Sequence, residues 1–139
     1  MRSILPVVLI PLVPLTACRS ASHTEHLEAQ GAFGPYSAAV MTEELVFVSG
    51  KIGSDTSSFE AEARSAIEAV RAELSRVGLG LEDVVSATVY LTDMNRYAEI
   101  NKIYSEMFSS PYPARACIAV AALPRNAQVE VQVIAARRE

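Results

Sequence analysis

The segment from Ser57 to Gly78 constrains the fold of this chain more than any other. Phe59, Ala63, Ala66, Ile67, Val70, Leu74 and Val77 recur every three or four residues, which puts them on one side of a helix. Ser57, with Glu60 three residues on, predicts a capping box at the start. Gly78 supplies a residue able to end the helix in the left-handed region. The charged residues along it (Glu60, Glu62, Arg64, Glu68, Arg71 and Glu73) are expected on the solvated face. Such a helix buries one side only, so the rest of the chain must supply a surface to receive it.

The flanking sequence supplies strands. Ala38–Met41 and Leu45–Gly50 read as two strands joined by the short polar Thr42-Glu43-Glu44. Gly50 at the strand end permits a close approach that a side chain would resist. Lys51 to Ser58 reads as a loop. Beyond the helix, Leu81-Glu82-Asp83 leads into Val84–Leu91, which alternates as a strand does. A second helix follows, capped by Thr92 or Asp93, with Tyr97, Ile100, Tyr104, Met107 and Phe108 along one side. Asn101 within it is a mediocre helix former, expected to be exposed unless it bonds something specific. After the turn Leu123-Pro124-Arg125-Asn126, a last strand runs from about Gln128 to Ala136. There Val129, Val131 and Val133 face one way, and Gln128, Glu130, Gln132 and Ile134 the other.

With a further strand after Tyr112-Pro113, the order is ββαβαββ: an α+β sandwich, one sheet with two helices on one face. The other face carries Val and Ala positions that water would meet in a monomer, so a homo-oligomer is expected to cover it. The 139 residues suffice for one such domain.

Tyr112-Pro113-Ala114-Arg115-Ala116-Cys117 holds the chemistry that stands out. Pro111 and Pro113 keep the approach extended, and alternation then puts Arg115 and Cys117 on one face. A guanidinium there suits a planar anion, most simply a carboxylate. A structural ion pair at a sheet edge accounts for it as well. The net charge of −4 offers no basic footprint, so no nucleic-acid partner is expected. His23 and His26 have no further ligands clustered with them, and no metal or cofactor is expected.

The N-terminal stretch reads as a sorting signal. Arg2 precedes an apolar run from Ile4 to Leu15, too short for a comfortable membrane span. Leu15-Thr16-Ala17-Cys18 resembles a bacterial lipobox. Residues 1–17 are therefore expected to be a lipoprotein signal peptide, with Cys18 lipidated, residues 18–31 a polar tether, and residues 32–139 the domain. Arg19 in place of an aspartate favours the outer membrane, on the periplasmic side of a cell envelope.

Five separated stretches are similar to one family. They are Gly34-Pro35-Tyr36-Ser37, Leu45–Gly50, Leu91–Asn95, Pro111–Arg115 with Cys117, and Leu123-Pro124 with Val129-Glu130. In that order they resemble the Rid family, also named RidA, YjgF or L-PSP. The resemblance implies a chorismate-mutase-like fold and a homotrimer whose sheets form a central barrel, with sites in the clefts between subunits. It implies hydrolysis of reactive 2-enamines and 2-imines, such as 2-aminoacrylate, to 2-oxo acids and ammonia. Arg115 then binds the substrate carboxylate and Glu130 activates water, while Tyr36, Ser49, Asn101 and Cys117 line the cleft. A binding or chaperone-like module of the same fold is the alternative, and RNA cleavage a third reading that the acidic composition disfavours. Two departures touch the mouth of the cleft. The loop beginning at Lys51 looks shorter than the family's usual Gln-Ile-Pro connection, and the segment between Phe108 and Pro111 also looks short.

Overall fold

The computed structural model describes residues 23–32 and 34–138. The signal-peptide and Cys18 readings fall outside them. Within them the strands are β1 (Glu25–Glu28), β2 (Ser37–Met41), β3 (Leu45–Ile52), β4 (Val84–Leu91), β5 (Ala114–Ala119) and β6 (Val129–Ala136). The helices are α1 (Phe59–Ser75) and α2 (Tyr97–Met107). The strands form one sheet in the order β1-β2-β3-β6-β4-β5, in which β4 and β5 pair in parallel and the other neighbours are antiparallel.

β6 lies between β3 and β4 and runs against both. β3–α1–β4 and β4–α2–β5 are therefore crossovers between strands of one direction, and crossovers of a common hand lay both helices on the same face. Val129, Val131, Val133 and Ala135 of β6 join Ala63, Ala66, Ile67 and Val70 of α1 and Ile100 and Ile103 of α2 in the core beneath them. Within β6 the expected alternation holds, the valines being buried and Gln132 exposed on the open face, but Gln128, expected on that open face, precedes the strand and turns its side chain to Glu62 of α1.

Four further expectations need correction. The tether is not free of structure, since Glu25–Glu28 pairs with β2 as an edge strand and the order becomes βββαβαββ. Only Leu27 of that strand packs against the core, and a polar edge strand leaves almost no hydrophobic signature. The cap of α1 is Ser58, whose Oγ accepts the Ala61 N–H at 3.0 Å, whereas Ser57 bonds Asp55. Glu62 is not solvated but 1% exposed. Asn101 is part-buried and bonded, as described below. The far end of α1 agrees with expectation: Gly78 sits at φ 75° and the Leu79 N–H returns to the Leu74 carbonyl at 3.0 Å.

Candidate functional site

Arg115 stands on the edge strand β5 opposite Ala87 of β4, which in turn faces Val133 of β6. Its side chain therefore rises on the helix-covered face. There α2 presents Tyr97, Asn101 and Tyr104, spaced as neighbours on one helix stripe. Arg115 Nη2 donates to Asn101 Oδ1 at 2.6 Å. The guanidinium carbon lies 4.7 Å from the centre of the Tyr104 ring and 6.0 Å from that of Tyr97. No carboxylate among the described residues lies within ion-pair distance of it. The group opens onto a cavity of about 350 Å³ walled by Asn101, Tyr104, Ser105, Tyr112 and Pro113. A guanidinium carries five N–H donors in a planar fork, so most of the fork is left for an anion from outside the chain.

Cys117 shares this face, as the alternation predicts, and packs against the core. Burial pushes its thiol up, with Arg115 opposing the shift. It is thus a protonated wall of the site at neutral pH rather than a thiolate nucleophile. The Tyr104 hydroxyl is also held protonated: burial raises it to about 12, against the pull of Arg115. That hydroxyl is closed to solvent and has no hydrogen-bond partner among the described residues.

Glu130 stands between Ile52 of β3 and Tyr90 of β4, with its side chain on the open face. Next to it β3 carries a bulge. Val48 pairs with Val133 and Lys51 with Val131, so Ser49 and Gly50 together oppose Gln132. The Glu130 carboxylate lies over Gly50, where a Cβ would overlap it. Burial pushes the Glu130 carboxyl above the usual carboxylate range. Tyr36, Ser49 and Gly50 share its cavity of about 640 Å³. Ser49 Oγ donates to the Ser37 carbonyl at 2.7 Å, which ties it to β2, while Tyr36 remains half exposed. The Lys51 side chain turns to the helix face and bonds Glu73 Oε1 at 2.7 Å, away from Glu130.

The predicted residues thus gather in two groups, Arg115, Asn101 and Cys117 on one face and Glu130, Tyr36 and Ser49 on the other. Arg115 and Glu130 are two strands and three residues apart, about 14 Å between backbones, with the sheet between their side chains. One substrate cannot touch both within a single chain. Tyr104 was not anticipated as part of the first group. The stripe Tyr97-Asn101-Tyr104 was the available signal for the first.

Comparison with known proteins places these features in a family. The family described as Endoribonuclease L-PSP matches residues 26–137. The human protein named 2-iminobutanoate/2-iminopropanoate deaminase is 38% identical over 115 residues, covering 78% of this chain and 84% of its own. Among solved structures, RidA from the Antarctic bacterium Psychrobacter is 37% identical with TM-score 0.74, covering 79% of this chain and 94% of its own. E. coli TdcF, solved with bound serine, is 33% identical with TM-score 0.73 and covers 82% and 99%.

Proposed function

Since this chain belongs to the L-PSP family, to which the RidA and YjgF names also attach, we propose that it hydrolyses small 2-imino and 2-enamino acids such as 2-aminoacrylate. The observation that carries the reading is the Arg115 guanidinium, half-buried, braced by Asn101 and Tyr104, and without a carboxylate of its own among the described residues. It receives the substrate carboxylate through two parallel hydrogen bonds. Glu130 takes a proton from water as the water oxygen attacks the imine carbon. Glu130 passes that proton to the imine nitrogen to give a neutral carbinolamine, and then carries the carbinolamine hydroxyl proton to the amine as the C–N bond breaks, so that ammonia and a 2-oxo acid leave. A carboxyl raised by burial is a better proton acceptor than an ordinary one, which suits it to that step. Binding of a small carboxylate is consistent with TdcF, a relative solved with bound serine.

The opposed faces support a reading in which the two groups that meet one substrate come from different subunits. The chain acts as a homotrimer in which the open sheet faces line a central barrel and Arg115 of one subunit meets Glu130 of the next. Phe47, Val85 and Ile118, each more than two-fifths exposed, give that assembly apolar surface to cover. Cleavage before Cys18 and its lipidation hold the trimer at the periplasmic side of the envelope, outer membrane in a Gram-negative cell. Metabolic labelling with a fatty-acid probe tests this: label on the wild type and none on Cys18→Ser supports it, and no label on either overturns it.

The activity is tested with the full chain carrying Cys18→Ser, by following ammonia release from imines generated in place by an amino-acid oxidase. Turnover that Arg115→Ala abolishes while the trimer persists supports the mechanism. Undiminished turnover in Arg115→Ala defeats it. Binding of 2-oxo acids without turnover, insensitive to Glu130→Gln, identifies a binding module instead.

A further inference from the structure

Glu62 is the one charged side chain among the described residues that is buried, at 1% exposure. Nothing in the chemistry above uses it. It sits on α1 among Phe59, Ala63 and Ala66, and both carboxylate oxygens are taken by one residue. Oε1 accepts the Gln128 backbone N–H at 2.8 Å, and Oε2 accepts the Gln128 side-chain Nε2 at 2.9 Å. On its other side Gln128 is held by Thr92, whose N–H and Oγ1 donate to the Gln128 carbonyl at 3.1 and 3.4 Å. Gln128 is the last residue before β6, and Glu130 is the second residue of that strand.

The chain arrives at Gln128 from an irregular turn in which Arg125 and Asn126 both sit at φ 57°, left-handed for residues that carry a Cβ. Such a turn does not by itself set the height or register of the following strand. An apolar side chain at position 62 would fill the space without the cost of burying a carboxylate. What the carboxylate adds is a two-point grip on one residue, through its backbone N–H and its side-chain amide.

We propose that Glu62 is a positioning residue for Glu130: by gripping Gln128 it fixes the start of β6 so that the Glu130 carboxylate lies over Gly50, facing the substrate. The inference rests on Glu130 being the water-activating group.

The test uses the full chain with Cys18→Ser, comparing Glu62→Met, which removes both acceptors at similar volume, with Glu62→Gln, whose carbonyl oxygen still accepts the Gln128 N–H. The first readout needs no turnover. The carboxyl carbon of Glu130, assigned through Glu130→Gln, is titrated by NMR. In Glu62→Met its midpoint falls toward the ordinary carboxylate value; in Glu62→Gln it stays near the wild type. The second readout is kinetic. In Glu62→Met kcat drops roughly tenfold or more, as a displaced catalytic group demands, while KM and the Kd for 2-oxobutanoate change less than about twofold because Arg115 is untouched. If Glu62→Met yields no folded trimer, Gln128→Met removes the Nε2 bond alone and shifts both readouts the same way by less. An unchanged Glu130 midpoint in a folded variant, or a kcat and a 2-oxobutanoate affinity that fall together, overturns the proposal. Absence of imine turnover in the wild type overturns the activity instead, and the titration still decides whether Glu62 places Glu130.

Discussion

The Glu130 carboxylate occupies the volume that a side chain on residue 50 would need. Gly50 lies in the bulge of β3, and the missing Cβ is what lets the carboxyl group lie down on the neighbouring strand. The requirement is one of space, since Gly50 is not among the glycines with positive φ. Gly50→Ala is therefore expected to push the carboxylate out of its seat. The atoms that an added Cβ meets are the far end of a flexible side chain, which can swing away, so the protein should fold with little change in Tm. Its kcat should fall by a factor of roughly ten or more, because proton transfer depends on placement. A folded variant with unchanged kcat would show that the position of Glu130 does not matter to the rate.

Burial alone raises the Glu130 carboxyl, and this ties activity to stability with opposite signs. The folded state holds the proton more tightly than the unfolded state does. Its stabilisation by that proton is present below the ordinary carboxylate value and is lost as pH rises through the raised folded value. Activity needs the ionised form, so kcat/KM should fall as pH drops through that same raised value. Glu130→Gln, which never ionises, is expected to be inactive yet more stable than the wild type at neutral pH. The gap should close below the ordinary carboxylate range. Thermal melts of the two proteins across pH check the first part, and a pH–rate profile the second. A stability gap independent of pH would mean that the carboxyl is not strained by burial.

The parts of this fold that the sequence announced are those whose pattern is local. The period of Phe59 to Val77 specifies a helix with one buried side, and the alternation around Glu130 puts it opposite the valines. Gly50 was legible as a place of close approach, though not what approached. What stayed hidden depended on partners far along the chain. Glu62 sits at helical spacing from Phe59 and Ala66, on the buried stripe, but its charge argued for water because Gln128, the donor that makes burial tolerable, is 66 residues away. Asn101 looked exposed for the same reason, since Arg115 lies on another element. β1 was invisible because an outer strand needs hardly any apolar residues. The insertion of β6 between β3 and β4 is a non-local choice that no window of sequence encodes.

Arg115 and Asn101 make a graded test of the anion site. Arg115→Lys keeps the charge but replaces the planar fork with a point donor, so a 2-oxo acid should bind more weakly by about tenfold or more. Asn101→Ala removes one neutral brace and should cost less, on the order of 1 kcal/mol of binding. Neither should lower Tm much, because the guanidinium is only half-buried and no carboxylate among the described residues depends on it. Isothermal titration with 2-oxobutanoate and thermal melts check both. A large loss of Tm in Arg115→Lys would point to a structural arginine rather than a ligand-binding one.

Tyr104 joins two roles that a pair of substitutions separates. Its ring stacks on Phe108 at 4.1 Å between centres and lies beneath the Arg115 guanidinium, while its hydroxyl is buried and unpartnered among the described residues. A buried hydroxyl without a partner costs about 1–3 kcal/mol, so Tyr104→Phe should melt higher than the wild type. Tyr104→Leu loses the stacking and the surface on which the guanidinium rests. It should melt lower and also weaken 2-oxo acid binding, since the arginine then samples positions it does not now reach. The comparison of the two variants matters more than either alone. If Tyr104→Phe melts lower, the hydroxyl has a partner in the assembled protein, and a neighbouring subunit becomes the place to look for it. If Tyr104→Leu binds 2-oxo acids as tightly as the wild type, Asn101 alone suffices to hold Arg115.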